Sequence, residues 1–523
     1  MKRLLVCFMV LVLLISGCSD ISTEFEEVQI SLSDSEITVD GKEITSDSSQ
    51  AVYTANDIVF YLAGKDFTYG EGTTKDAHEQ SEADAHTVVH ITKPGRYVLS
   101  GELSLGQIAV DLGEEAEEDP EAVVTIILND VDITCTVAPA IIFYNVYECC
   151  SSDEEIATKD VDTSKAGANV IIADDTENNI NGSYVAKIYK SYELNSDGTE
   201  VIDSKKLHKY DGAFYSTKTM NINAGSKGNG ILNITAENEG LDSELHLTIN
   251  GGTINIASGN DGINTNEDNV SVMTMNGGSL NIHCNGHTGE GDGIDSNGWL
   301  MINGGTVTAQ ACATSGDAGI DSDKGIYING GQVIASGNMF DNIAGGNQTY
   351  AVFSFANSQS GTDTYTLKNS SGEVVGEYAP VNAFTYLIIA GDGLLPGEYT
   401  FWQGDIQLAA SAMQNMNGRA PQGMPNGEQP PQGNAFPGGP EGEEKSEHHS
   451  GGPDQMPNGE PPKMPNGEPP EMPDGKKPEM PEGMTLPNGM AGMMDGNMRT
   501  EGEVFITFSF VKGGNQFENV SPK

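Results

Sequence analysis

Short apolar runs alternate with polar residues over most of residues 51–345, and Gly, Asn and Asp punctuate them. Alternation with a period of two predicts half-buried strands. No long stretch has the three-to-four-residue period of an amphipathic helix. We therefore expect this region to consist of short strands joined by turns.

Two motifs recur through the second half of this region. Asn-Gly-Gly strings begin 26, 27 and 26 residues apart, at Asn250, Asn276, Asn303 and Asn329. An Asp-rich turn precedes each string, at residues 239–244, 261–266, 292–297 and 318–323. A repeat of this length without a helix is typical of a right-handed parallel β-helix, in which coils bury apolar side chains by stacking. Ile263, Ile294 and Ile320 would face inward, and the glycines would occupy the corners.

Polar residues of the Asp-rich turns should form columns on the outside of such a stack, because side chains alternate along a strand. Adjacent coils lie about 4.8 Å apart. The first column is Asp242, Asn264, Asp295 and Asp321. The second is Glu244, Asn266, Asn297 and Asp323. The third is Glu239, Asp261 and Asp292.

Carboxylates at this spacing repel one another by about 3 kcal/mol at an effective dielectric constant of 20. Clusters of Asp, Glu and Asn oxygens are the ligands that Ca²⁺ prefers, and the columns lack His and Cys. We therefore predict Ca²⁺ as the cofactor. The predicted metal ligands are Asp242, Asp261, Asn264, Asp292, Asp295, Asn297, Asp321 and Asp323. The alternative is that these residues only stabilise turns.

Beyond the repeats the composition changes twice. Residues 346–412 alternate like antiparallel strands, and we expect a small antiparallel β cap. Residues 413–500 are rich in Met, Pro, Asn and Gly, which predicts a disordered insertion without a core, or a stalk spanning the cell wall. Residues 501–523 should supply a final strand, which rejoins the cap, and a tail.

The N-terminus has the features of a bacterial lipoprotein signal. Two basic residues precede an apolar run from Leu4 to Ile15, and small residues lead to Cys18. Residues 1–17 would be removed and Cys18 would carry lipid, so the protein would be extracytoplasmic and anchored to the membrane by lipid alone. An ordinary signal peptide is the alternative. Residues 18–50 are rich in Ser, Asp and Glu and are predicted to be a flexible spacer.

The formal net charge is −50, which disfavours binding to nucleic acid. No CxxC pair indicates a structural zinc site. The sequence leaves the disulfide state open for five cysteines beyond Cys18: Cys135, Cys149, Cys150, Cys284 and Cys312.

Segments 91–103, 124–133 and 247–256 resemble the carbohydrate-binding β-helix proteins typified by a clostridial surface lipoprotein. The resemblance covers about residues 52–410. It implies a right-handed parallel β-helix that binds Ca²⁺ and an acidic polysaccharide such as polygalacturonate. It also implies a fold similar to family 9 polysaccharide lyases, which use aspartate-held Ca²⁺ and a lysine base. Residues 183–210 form a larger loop than this pattern needs, and Ala318 interrupts the third column.

Three functions are compatible with these features. The first is non-catalytic, calcium-dependent binding of an acidic polysaccharide at the cell surface. The second is a calcium-dependent lyase acting by β-elimination, with Lys324 as the base or Lys227 as a weaker candidate. The third is an adhesin or envelope scaffold without a glycan ligand. We expect binding rather than catalysis.

Overall fold

A computed structural model describes residues 26–416 and 504–523. The predicted signal peptide, the lipidation site Cys18 and nearly all of the predicted insertion lie outside these residues. The described part is an all-β fold with short helices only: α1 (Gln80–Ala83) and two 3₁₀ helices, Glu114–Glu118 and Glu154–Ile156. None of its helices has the length and apolar character needed to cross a bilayer.

Thirty-seven strands follow one another in the described residues. The first nine are β1 (Glu27–Leu32), β2 (Thr38–Val39), β3 (Lys42–Glu43), β4 (Val52–Ala55), β5 (Thr87–Ile91), β6 (Gly95–Leu103), β7 (Gly106–Asp111), β8 (Val124–Thr134) and β9 (Ile141–Asn145). The next ten are β10 (Ala168–Ile172), β11 (Glu177–Gly182), β12 (Val185–Leu194), β13 (Val201–Tyr210), β14 (Gly212–Ser216), β15 (Met220–Ala224), β16 (Ile231–Ala236), β17 (Glu239–Ser243), β18 (Leu247–Ile249) and β19 (Thr253–Ser258).

The remaining strands include the last repeats and the C-terminal region. Those of the repeats are β20 (Ile263–Thr265), β21 (Val272–Met275), β22 (Ser279–Cys284), β23 (Ile294–Ser296), β24 (Trp299–Ile302), β25 (Thr306–Gln310), β26 (Gly325–Ile328), β27 (Gln332–Gly337) and β28 (Ile343–Gly346). Those that follow are β29 (Tyr350–Gln359), β30 (Tyr365–Asn369), β31 (Val374–Tyr378), β32 (Phe384–Gly391), β33 (Gly397–Gln403), β34 (Ile406–Ala409), β35 (Ala412–Met416), β36 (Phe508–Phe510) and β37 (Gly514–Pro522).

The repeats pair in parallel with the equivalent strands of neighbouring repeats, which produces three stacks. Stack 1 contains β9, β14, β17, β20 and β23. Stack 2 contains β10, β15, β18, β21, β24 and β26. Stack 3 contains β11, β16, β19, β22, β25 and β27. Each repeat up to β25 therefore gives one strand to each stack, and the last repeat gives β26 to stack 2 and β27 to stack 3 only. The sheets as a whole also contain antiparallel pairs.

Apolar side chains of equivalent positions fill the space between the stacks. Leu241, Ile263, Ile294 and Ile320 are each 0% exposed and continue one column from repeat to repeat. The second glycine of the Asn-Gly-Gly string makes the corner. Gly278 has φ +85°, and a Cβ there would lie 2.4 Å from the carbonyl oxygen of Gly252. Only glycine fits such a corner without a shift of the backbone.

The N-terminal segment belongs to the fold from residue 27 onward. β1 pairs in parallel with β6 over its whole length and with β2 in antiparallel fashion, and Ile30 and Leu32 are buried. This differs from the flexible spacer expected for residues 18–50. The reason is that Val28, Ile30 and Leu32 alternate with polar residues, so one face of the strand packs on the core.

The C-terminal region packs around a second core, which includes Phe353, Phe401, Phe508 and Phe517. β27 pairs in antiparallel fashion with β32 and so joins the last repeat to this region. Beyond residue 503 the chain returns as two strands: β36 pairs with β33, and β37 pairs in parallel with β29. The residues expected to form a tail thus contribute a long strand.

Candidate functional site: the acidic face of stack 1

Residues of the first predicted column are paired in register between neighbouring strands of stack 1. Asp242 in β17 is paired with Asn264 in β20, and Asn264 is paired with Asp295 in β23. The amide of Asp321 donates to the carbonyl of Ile294 at 2.7 Å, which continues the register to the next repeat. Residues 22 to 31 apart in sequence are thus brought side by side.

The carboxylates at the N-terminal end of this face form a compact cluster. Oxygens of Asp211, Glu239 and Asp242 lie within 4.8 Å of one another. Glu239 Oε2 and Asp242 Oδ2 are buried and have no hydrogen-bond partner in the described part of the chain, and the same holds for Asn264 Oδ1. Asn264 Nδ2 donates to Glu239 Oε1 at 3.3 Å. We call these four residues the acidic cluster.

Burial of the acidic cluster differs from the outward-facing column that the sequence predicted. Asp242 is 0% exposed and Glu239 is 5% exposed. The hairpin of β12 and β13 contacts this end of the face: Lys209 Nζ lies 2.8 Å from Asp211 Oδ2, and Lys206 Nζ lies 3.3 Å from Glu244 Oε1. The extra residues 183–210 therefore supply cations to the face.

Two carboxylates of the third column, those of Asp261 and Asp292, accept hydrogen bonds from backbone amides of the following repeat. Asp261 Oδ1 accepts a hydrogen bond from the amide of Asp292 at 2.7 Å, and Asp292 Oδ1 accepts one from the amide of Ala318 at 2.5 Å. Each carboxylate therefore links its repeat to the next. Ala318 offers only its backbone, so this column of carboxylates ends there.

A second group of acids lies at the other end of the face. Burial, and then the nearby carboxylate of Asp321, raise the pKa of Asp295 to about 7. The pKa of Asp321 is raised to about 6 by burial and then by Asp341. Asp341 Oδ2 and Asn342 Oδ1 are also buried without a partner among the described residues.

The remaining predicted ligands are less well placed. Asn297 Nδ2 donates to the carbonyl of Asn266 at 3.0 Å and to Asp268 Oδ1 at 2.9 Å, so its amide joins two turns. Asp323 is exposed. Asn266 Nδ2 donates to Asp242 Oδ1 at 2.7 Å and orients that carboxylate.

Burial makes negative charge costly throughout the acidic cluster. Desolvation, and then the charge of Asp211, raise the pKa of Glu239 to about 8. Desolvation also raises the pKa of Asp242 well above its ordinary value, with Glu239 as the next cause. The ion pair with Asp211 raises the pKa of Lys209 and keeps its ammonium charged. One lysine cannot balance so many carboxylates, and a divalent cation would lower this cost.

The donor set fits Ca²⁺. The acidic cluster offers carboxylate and amide oxygens only, and three of these buried oxygens lack partners. Hard cations take such oxygens, whereas His or Cys would be expected around zinc. Asp211, Glu239, Asp242 and Asn264 would hold the ion.

Two lysines suggested by the sequence lie away from this cluster. Lys324 Nζ lies 5.0 Å from the centroid of the Trp299 ring, in a cation–π contact. Lys227 pairs with Asp175 at an exposed site in another part of the fold. The sequence missed Lys209, Asp211 and Asp341 as members of the site, and it did not include Glu239 among the ligands. Asp211 precedes a glycine as the turn acids do, and this was the available signal.

Comparison with protein families matches residues 85–392 to the family described as "Carbohydrate-binding domain-containing protein". The match spans more than half of the chain, and the protein belongs to this family. No curated protein matches the chain. A solved structure described as "Structure of the polysaccharide lyase-like protein from C. thermocellum, Gadolinium derivative" shares 19% sequence identity. The alignment covers 62% of this chain and 93% of that chain, with a TM-score of 0.33.

Proposed function

We propose that this protein is a right-handed parallel β-helix that binds an acidic polysaccharide of the polygalacturonate type through Ca²⁺, without cleaving it. Membership of a carbohydrate-binding family supports a polysaccharide partner. The three parallel stacks support the β-helix, since successive repeats place equivalent strands side by side in each of them.

The observation that carries the proposal is the set of unpaired oxygens in the acidic cluster. Buried polar atoms almost always have partners. A bound cation would be the partner of Glu239 Oε2, Asp242 Oδ2 and Asn264 Oδ1. Bound Ca²⁺ would supply further coordination positions for the carboxylates of a uronate chain. Lys206 and Lys209 are already paired with Glu244 and Asp211, so the bound cation would be the partner of the uronate carboxylates.

The charge of Lys209 favours binding over lysis. A base for β-elimination must be unprotonated, and the pKa of Lys209 is raised by Asp211. Lys324 covers the face of Trp299. Lys209 is therefore protonated and Lys324 is engaged with Trp299, so the lyase is the second candidate function.

Affinity electrophoresis of the full chain in gels containing polygalacturonate tests the function. We expect retardation with millimolar Ca²⁺ and none with EDTA. Retardation that EDTA leaves unchanged would refute the role of the metal. Absence of retardation in both gels would instead favour the scaffold without a glycan ligand.

We also propose that Cys18 carries the lipid that holds the protein at the cell surface. The support is the basic and apolar sequence that precedes this cysteine. Cys18→Ala should abolish incorporation of labelled palmitate in a bacterial host. Labelling equal to that of the unchanged protein would contradict the assignment.

A further inference from the structure

A polar groove lies along stack 2, away from the carboxylates of stack 1. It encloses about 680 Å³ and is bordered by residues 159–164, in the segment between β9 and β10. Two columns of side chains line it. One consists of Asn169, Asn221, Thr248, Thr274 and Met301, and the other of Asn223, Asn250, Asn276, Asn303 and Asn329.

The second column is a continuous ladder of amides. Asn276 Nδ2 donates to Asn250 Oδ1 at 2.9 Å, Asn303 donates to Asn276 at 2.9 Å, and Asn329 donates to Asn303 at 2.8 Å. A primary amide has two N–H groups and two acceptor positions. Each ladder amide in the middle therefore keeps one donor and one acceptor for a ligand, repeated about every 4.8 Å along the groove.

The other column contains an acceptor that the protein leaves unused. Asn221 is 4% exposed, and its Nδ2 donates to the carbonyl of Thr163 at 2.7 Å and to Asn169 Oδ1 at 3.1 Å. Its Oδ1 has no hydrogen-bond partner within the described ranges. A hydroxyl group that reaches this wall would satisfy it.

Charge in the groove disfavours an anionic ligand. Its charged lining residues are Lys159, Asp160 and Asp162. Lys159 Nζ lies 2.7 and 2.8 Å from the two carboxylate oxygens of Asp160, so this cation is already paired. The groove thus differs from the acidic face, where a divalent cation is needed to reconcile buried carboxylates.

We infer that this groove is a second carbohydrate site, which takes an extended, uncharged and hydroxyl-rich saccharide chain without a metal. Sugar hydroxyls both donate and accept, and so match the free donor and acceptor of each ladder amide. An extended chain matches the straight, regular ladder. The inference does not depend on the calcium site, because no member of the acidic cluster lines the groove.

Stack 3 supplies a matched control. Asn281 Nδ2 donates to Asn255 Oδ1 at 2.9 Å, and Asn255 donates to Asn233 at 2.9 Å, yet these residues do not line the groove. Substitution there removes ladder bonds of the same kind without touching the proposed site. Any loss due only to a weakened fold should therefore affect both ladders.

The experiment is affinity electrophoresis of the full chain in gels containing xyloglucan, mixed-linkage β-glucan or galactan, each run with EDTA and with Ca²⁺, and a polygalacturonate gel in Ca²⁺ alongside. We expect at least one neutral polymer to retard the protein in EDTA. N276A/N303A should weaken that binding about tenfold, because two amides are lost, and N255A/N281A should leave it unchanged. Thr274→Tyr, which narrows the groove and keeps the ladder, should weaken it too.

Three results would overturn the inference: no retardation by any neutral polymer, equal losses in both double variants, or binding to neutral polymers only when Ca²⁺ is present. The polygalacturonate gel reports separately on the acidic face. If the protein binds neutral polymers but not polygalacturonate, the proposed function is refuted and the second site is retained. If it binds polygalacturonate but no neutral polymer, the second site is refuted and the proposed function is retained.

Discussion

The carboxylates of Glu239 and Asp242 lie within 4.8 Å of each other, and each has one buried oxygen without a partner in the described structure. Successive repeats of stack 1 hold these two side chains and Asn264 in one place. Two buried carboxylates cannot both ionise cheaply at this distance. Their charge state and any bound cation must therefore be coupled, and the first two predictions follow from this coupling.

Asp242→Asn should weaken calcium binding at least about tenfold, which is about 1.4 kcal/mol. Stability in EDTA should change by no more than about 1 kcal/mol, because Asn resembles the protonated carboxyl that burial favours. Calcium titrations by calorimetry and melting curves with and without calcium measure both effects. Asp197→Asn, at an exposed position between β12 and β13, is the control. Equal calcium responses of the two variants would remove Asp242 from the site.

The melting temperature in EDTA should fall as the pH rises from 5 to 8. Burial raises the pKa of Glu239 to about 8 and that of Asp295 to about 7, whereas unfolded carboxyls titrate near 4. The folded state therefore holds protons that the unfolded chain has lost, and the stability from these groups disappears as the pH passes through the raised values. Calcium competes with those protons, so its affinity and its stabilising effect should both be larger at pH 8 than at pH 5.5. A melting temperature in EDTA that increases over this range would contradict the assignment.

Lys209→Met should destabilise the calcium-free protein by about 1–2 kcal/mol. The substitution leaves the buried Asp211 without its ion pair, and the estimate is kept low because the lysine side chain is 47% exposed. Lys227→Met is the matched control, because that lysine also pairs with an aspartate, Asp175, but both side chains are more than half exposed. It should cost clearly less, because solvent screens an exposed ion pair. Urea unfolding in EDTA compares the two, and equal losses would argue against a buried ion pair at Asp211.

Gly278→Ala should destabilise the stacks far more than Gly277→Ala. Gly278 has φ +85° and its added Cβ would lie 2.4 Å from a carbonyl oxygen, whereas the nearest atom to a Cβ on Gly277 is 3.1 Å away. Strain of this kind costs about 1–3 kcal/mol. Urea unfolding of both variants measures the difference, and similar values would show that the corner relaxes around the methyl group.

The repeat explains which parts of this structure could be predicted from the sequence. A constant spacing sets the register, so the alignment of Asn264 with Asp295 follows from counting residues. Lys209 could not be found this way, because it reaches Asp211 from a hairpin that has no counterpart in the other repeats. The strand at Glu27–Leu32 was hidden by a composition rich in Ser, Asp and Glu, although its apolar residues alternate.

Whether the protein cleaves its ligand can be settled by the absorbance of unsaturated uronate products. With polygalacturonate and Ca²⁺ we expect no increase above the substrate blank between pH 7 and pH 10, because Lys209 keeps its proton beside Asp211. If product does form, Lys209→Ala and Lys324→Ala identify the base. If only Lys209→Ala abolishes product formation, the reaction takes place at the acidic cluster. If only Lys324→Ala abolishes it, the reaction takes place beside Trp299. Lys324→Ala should in either case keep polygalacturonate binding, since the substitution removes a cation–π contact with a half-buried ring that is worth about 0.5–1 kcal/mol. Product formation at any rate would contradict the non-catalytic assignment, and a rate that survives both substitutions would also exclude both lysines as the base.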